Sequence, residues 1–177
     1  MSGPYVLLQF GEDPCNCRYE DLESRHAFTV PHNPNIVVML RREAAWSQQH
    51  PTIMGPDRSF LYFGPGQSQG HLAYGNSPLQ PMANSIKQKR DSSNSRYFKS
   101  QNGSKEYKWK ISPQRIEASD GRSHRCSDGR STIAVWELSQ PEDEFHARLT
   151  IRSGGLPVVT EILTTLTLNR VSLALNW

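Results

Sequence analysis

The sequence predicts a mainly β domain (α+β), with many short antiparallel strands and one apolar helix toward the C-terminus. Three observations carry that reading. Twelve glycines and twelve prolines in 177 residues, with a mean hydropathy of −0.64, favour short elements joined by turns over a helical bundle. Lys105–Ile111, KEYKWKI, alternates cleanly: Tyr107, Trp109 and Ile111 point one way, Glu106, Lys108 and Lys110 the other. In the most apolar stretch, Val158, Val159, Ile162, Leu163 and Leu166 recur at helical spacing.

The elements follow in order. YVLLQF (Tyr5–Phe10) is a short apolar strand, and the polar run Cys15–His26 reads as a loop. HAFTV and NIVVMLRR are strands on either side of PHNP, where Pro31 and Pro34 forbid continuous helix. SFLYFG (Ser59–Gly64) is another strand. From about residue 65 to 95 the chain turns to Gly, Ser, Gln, Asn and Pro, with HLAYG its one short strand. Such a stretch inside a compact domain predicts a flexible insertion, and apolar runs on both sides keep residues 1–177 a single domain. Asn102-Gly103 favours a tight turn, so Arg96–Ser100 and Lys105–Ile111 form a hairpin. STIAVWEL and FHARLTI make the next hairpin, around SQPEDE. The pentapeptide SDGRS occurs twice, at Ser119–Ser123 and Ser127–Ser131, which lengthens a loop with Asp-Gly turns.

The C-terminal segment could span a bilayer by length alone. Glu161, Asn169 and Arg170 interrupt it, and charges at mid-bilayer are costly, so a buried helix is expected. Four threonines between Thr160 and Thr167, and the alternation in VSLALNW, pull toward strand instead.

Several of these pieces together resemble a fungal family of domains of unknown function. They are SRYF, NG, EYKWK, IAVWEL and VVTEILTTLTL, roughly the C-terminal half of the chain. That family is similar to the tubby-like, LURP-one-related and phospholipid-scramblase barrels. The resemblance implies an antiparallel β-barrel closed around one central apolar helix. It carries over no catalytic residue, and the SDGRS duplication is not part of its pattern.

Charge is the strongest functional signal. Residues 87–130 hold twelve Lys/Arg against five Asp/Glu, a local +7, whereas the segments on either side are each −2. The candidate anion- or lipid-binding set is Lys87, Lys89, Arg90, Arg96, Lys99, Lys105, Lys108 and Lys110, followed by Arg115, Arg122, Arg125 and Arg130. Anionic membrane lipids are the expected partner, since each cation near such a surface contributes about 1 kcal/mol of attraction. Nucleic acid is disfavoured. An RNA-reading sheet exposes its aromatics among basic residues, while Tyr107 and Trp109 lie opposite the lysines here.

The alternative is an enzyme or carrier for a small apolar molecule in a cavity of the barrel, with His32, Asn33, Glu43 and Trp46 as its contacts. No Gly-rich phosphate loop, nucleophile elbow or His-Glu-x-x-His is present, and no cofactor is expected. Cys15-x-Cys17 with His26 and His32 departs from zinc-knuckle spacing, so no metal is expected either. Cys15, Cys17 and Cys126 cannot all pair, and no signal-like segment opens the chain. A reduced, cytoplasmic protein, peripheral to a membrane when lipid-bound, is the expectation.

Overall fold

The computed structural model describes residues 3–31, 37–101, 105–120 and 132–177. Its strands are β1 (Tyr5–Phe10), β2 (Cys17–Asp21), β3 (His26–Val30), β4 (Val37–Arg42), β5 (Arg58–Tyr62) and β6 (His71–Tyr74) in the first half. After them come β7 (Gln80–Pro81), β8 (Ser95–Lys99), β9 (Glu106–Ile111), β10 (Arg115–Asp120), β11 (Thr132–Leu138) and β12 (Ala147–Ile151). A short helix α1 (Ala44–Gln49) precedes β5, and a long one, α2 (Val159–Leu175), ends the chain. The fold is mainly β, as the alternation predicts.

All twelve strands join one antiparallel sheet, in the order β7, β6, β5, β4, β3, β2, β1, β12, β11, β10, β9, β8. The sheet is open. The barrel that the resemblance implies is not closed by strand pairing, because end strands β7 and β8 do not pair with each other. Sequence gives the reason: β7 is two residues long, and Pro81 has no N–H to donate. The chain leaves β7 through a 3-10 turn, Met82–Ser85, and Lys87 then meets β8 in an isolated bridge to Tyr97. The two backbone bonds of that bridge are 3.2 and 2.9 Å.

One face of the sheet is apolar and carries α2. Leu7, Tyr19, Phe28, Leu61, Trp109, Ile116, Trp136 and Leu149 on that face are all nearly inaccessible. The helix contacts strands far apart in the sheet. Thr164 Oγ1 lies 2.7 Å from Ser59 Oγ on β5, Trp109 Nε1 on β9 donates to Thr165 Oγ1 at 2.8 Å, and Arg170 donates to Gln9 on β1. A helix held from several sides can be apolar all round, and Val159, Ile162, Leu163, Leu166 and Leu168 are each at 0% exposure. Ser153–Leu175 is long and apolar enough to cross a membrane, yet 78% of its apolar window is buried within the fold.

The threonines are compatible with helix because their hydroxyls find partners inside it. Thr164, Thr165 and Thr167 donate to the carbonyls of Thr160, Glu161 and Leu163, one turn back, at 2.6, 2.7 and 2.9 Å. Thr160 caps the carbonyl of Pro56 at 2.6 Å. Pro157 sits in the 3-10 turn, Ser153–Val158, that leads into α2. Gly155 in that turn has no room for a side chain: a Cβ would lie 2.8 Å from the Ile133 carbonyl oxygen. VSLALNW continues the helix, which ends at Asn176 in the left-handed conformation (φ 55°), a cap that asparagine tolerates.

Three regions differ from the sequence reading. Cys17–Asp21, read as loop, is strand β2, with Cys17, Tyr19 and Asp21 directed inward. Arg115–Asp120 is β10, the unforeseen partner of both β9 and β11. The stretch from 65 to 95 holds, besides the expected HLAYG strand β6, the two-residue β7 and two 3-10 turns, and it buries Leu72, Tyr74 and Met82. The PHNP turn from His32 on, the Asn102-Gly103 turn and all but the first residues of the SDGRS repeat, with Arg122, Arg125 and Arg130, lie outside the described residues.

Candidate functional site: the outer face of β8 and β9

Strand register decides which basic residues share a surface. On β9, Trp109 and Tyr107 are buried at 0% and 4%, which sends Glu106, Lys108 and Lys110 to the outer face. Their partners on β8 are Lys99, Tyr97 and Ser95, and Glu117 and Ser119 of β10 stand across from Lys110 and Lys108. Lys87, bridged to Tyr97, joins from the edge. Lys89 pairs with Glu106 and sits 4.0 Å over the Tyr97 ring. Arg90 is exposed in the turn before β8, and Lys105 is exposed where β9 begins.

Arg96 does not belong to this face. It pairs with inward-facing Trp109, and its guanidinium donates to the backbone oxygen of Trp177 at 3.4 Å. The outer face is also not uniformly basic. Glu106 neutralises Lys89, while Arg115 is shared between Glu117 (3.5 Å) and Glu137 (3.1 Å). Among the described residues, Lys87, Arg90, Lys99, Lys105 and Lys110 are exposed and make no ion pair. They form a broken array of free positive charge.

Of the alternative set, only Glu43 and Trp46 are among the described residues; His32 and Asn33 lie outside them. Glu43 accepts a hydrogen bond from Thr29 at 2.9 Å and pairs with Arg41 at 3.3 Å near the surface. Trp46 is a core residue at 2% exposure. It stacks on His50 with ring centroids 4.2 Å apart, and its Nε1 donates to Asp21 Oδ2 at 3.0 Å.

Burial by itself would raise the Asp21 pKa, but hydrogen bonds outweigh it. Arg25 (backbone N–H and guanidinium), the Glu23 N–H and the Trp46 indole all donate to the carboxylate, and its pKa is lowered. A lowered folded-state pKa gives stability that is present above the ordinary aspartate value and lost as pH falls through the folded value. Asp21→Asn is therefore expected to lower the melting temperature at pH 7. Its penalty should shrink as the solution is acidified below about pH 4, and a melting series from pH 7 to pH 2 on both proteins checks it.

Two polar sites at the ends of α2 were not singled out as sites from sequence. Near its C-terminal end, Gln9 Oε1 accepts from Tyr19 Oη (3.3 Å), Trp136 Nε1 (3.0 Å) and Arg170 (3.2 Å). Arg170 also donates to the Glu12 carbonyl at 2.8 Å and stacks 4.7 Å from the Trp136 ring. Trp136 and Arg170 of this group line a cleft of about 390 Å³. Beside it, burial and the charge of Asp13 push Cys15 up to about 11, and burial pushes Cys17 up to about 12. Both thiols stay protonated at neutral pH and are poor nucleophiles.

At the other end, Glu161 in the first turn of α2 borders a cleft of about 440 Å³ between the β8–β9 hairpin and the turn before α2. Glu161 is 3% exposed, and burial raises its pKa. The sequence signal for it was the interruption of an apolar run by an acid. Comparison of the chain with known protein families, with curated proteins and with solved structures finds no match.

Proposed function

We propose that this protein is a non-enzymatic binding domain that meets anionic lipid headgroups through the outer face of β8 and β9. In this reading the sheet acts as an incompletely closed, tubby-like barrel: α2 fills it, and the Lys87–Tyr97 bridge stands in for the missing strand pairing. The protein works in the cytoplasm, peripheral to a membrane, with Cys15 and Cys17 as thiols.

The observation that carries the reading is the array of exposed cations without a carboxylate partner among the described residues: Lys87, Arg90, Lys99, Lys105 and Lys110. An ion-paired lysine must give up its partner to meet a phosphate, and these need not. A sheet face with its aromatics turned inward offers charge without a stacking platform, which suits a headgroup layer better than exposed bases.

Replacing Lys105, Lys108 and Lys110 with Gln is expected to leave the melting temperature unchanged, since exposed charges contribute little to folding. It should weaken binding to vesicles containing phosphatidylserine by about 1 kcal/mol per charge removed. Wild-type binding should also fall steeply above physiological salt, where the screening length is about 8 Å. Co-sedimentation with anionic and neutral vesicles reads all three effects. A triple variant that sediments like the wild type, or a wild type that ignores anionic vesicles at low salt, refutes the proposal.

A further inference from the structure

The Glu161 cleft shares Lys105 with the proposed lipid-binding face and holds an unsolved polar problem. Glu161 Oε1 accepts one long side-chain bond, 3.5 Å, from the amide of Gln101, and the backbone N–H groups of Gln101 and of Glu161 itself also favour the ionised carboxylate. Glu161 Oε2 is buried and has no hydrogen-bond partner among the described residues. A buried carboxyl with an orphaned oxygen costs free energy unless something donates to it. No Lys, Arg or His pairs with it among the described residues, although Lys105 borders the same cleft. The first turn of a long helix is a favourable place for negative charge, which lets the carboxyl ionise once a counter-charge arrives.

From this we infer that the cleft is a binding site for a primary ammonium group on a short apolar chain. An ammonium brings several donors and a positive charge, which are what the orphaned oxygen lacks. Pro56, Pro157, Val158 and Tyr107 supply apolar walls for the methylenes behind it, and about 440 Å³ admits a small molecule of that kind. Gln101 is the cover. It is exposed, its long bond to Glu161 is weak, and its carbonyl oxygen is held by Ser77 Oγ at 3.2 Å. Displacing that side-chain amide opens the carboxyl to the cleft. Lys105 at the border repels a second positive charge, so the site selects a monoamine over a diamine.

The test uses butylammonium chloride as the probe, followed by NMR titration of the whole chain. Butan-1-ol controls for the apolar chain, potassium chloride for ionic strength and butane-1,4-diammonium for charge. Butylammonium is expected to bind saturably and more tightly than the diamine, and butan-1-ol should not bind. Glu161→Gln, which keeps the shape of the side chain, should weaken butylammonium binding by about tenfold or more. Gln101→Ala, at an exposed position, should tighten it, and it gives a second reading if the Glu161 variant folds poorly. Equal binding of butylammonium and butan-1-ol, or affinity unchanged in either variant, overturns the assignment. Because none of these ligands is anionic and no vesicle is present, the outcome is independent of the lipid reading.

Discussion

Leu163→Asp is expected to yield no folded protein. Leu163 is in the buried first half of α2 at 0% exposure and belongs to the hydrophobic core. The substitution removes a buried leucine, about 2–5 kcal/mol by itself. It also places a carboxyl in the hydrophobic core, and a buried polar group without a partner costs several kcal/mol more. Together these approach the whole stability of an ordinary domain, about 5–15 kcal/mol. Leu173→Asp is the matched control. Leu173 belongs to the same helix but is 51% exposed, so that variant should fold and melt near the wild type. Circular dichroism melts of the two, with the soluble yield of each, check the prediction. If α2 instead crossed a membrane, the wild-type chain would be recovered only from detergent-solubilised membranes.

The contrast between those two leucines shows what could be read from sequence and what could not. Helical spacing from Val158 to Leu166 marks the helix, but nothing in the spacing says that its last turns, at Leu173 and Leu175, emerge from cover. The β8–β9 hairpin was legible because its alternation is strict and its aromatics are large. β2 was not, because Asp21 holds an inward position and polar residues ordinarily mark loops. Its burial depends on donors from Arg25 and Trp46, which no local pattern reveals. The apolar residues that β10 offers to the inner face are Ile116 and Ala118, too little apolar signal to separate strand from turn.

Site residues follow the same logic. Lys108 and Lys110 are placed by the alternation of their own strand. Arg96 is placed by its pairing with Trp109, and pairing register is a long-range property; a shift of one residue would have turned it outward. Glu161 was visible as an acid in an apolar run. That its second oxygen lacks a donor depends on residues some sixty positions away, around Gln101. Sequence locates such a group, and only the fold shows what it is missing.

Trp109→Ala is expected to cost about 3–5 kcal/mol of stability, the usual penalty for emptying a large aromatic site. Trp109 is fully buried, its ring centroid is 6.2 Å from that of Phe98, and its indole N–H donates to Thr165 Oγ1 at 2.8 Å. It therefore links β9 to α2 by shape and by a hydrogen bond, and Trp109→Phe separates the two. Phenylalanine keeps much of the apolar contact and removes the indole donor. Thr165 loses little by this, because its hydroxyl still donates to the Glu161 carbonyl at 2.7 Å. The Phe variant should consequently lose only about 1 kcal/mol for the hydrogen bond, with a smaller packing term for the narrower ring. Denaturant unfolding of the three proteins gives the order wild type, Trp109→Phe, Trp109→Ala, with the larger step second. Were Trp109 an exposed ligand platform instead, both variants would unfold with the wild type, and the inward placement of the β9 aromatics, on which the outward placement of Lys108 and Lys110 depends, would fail with it.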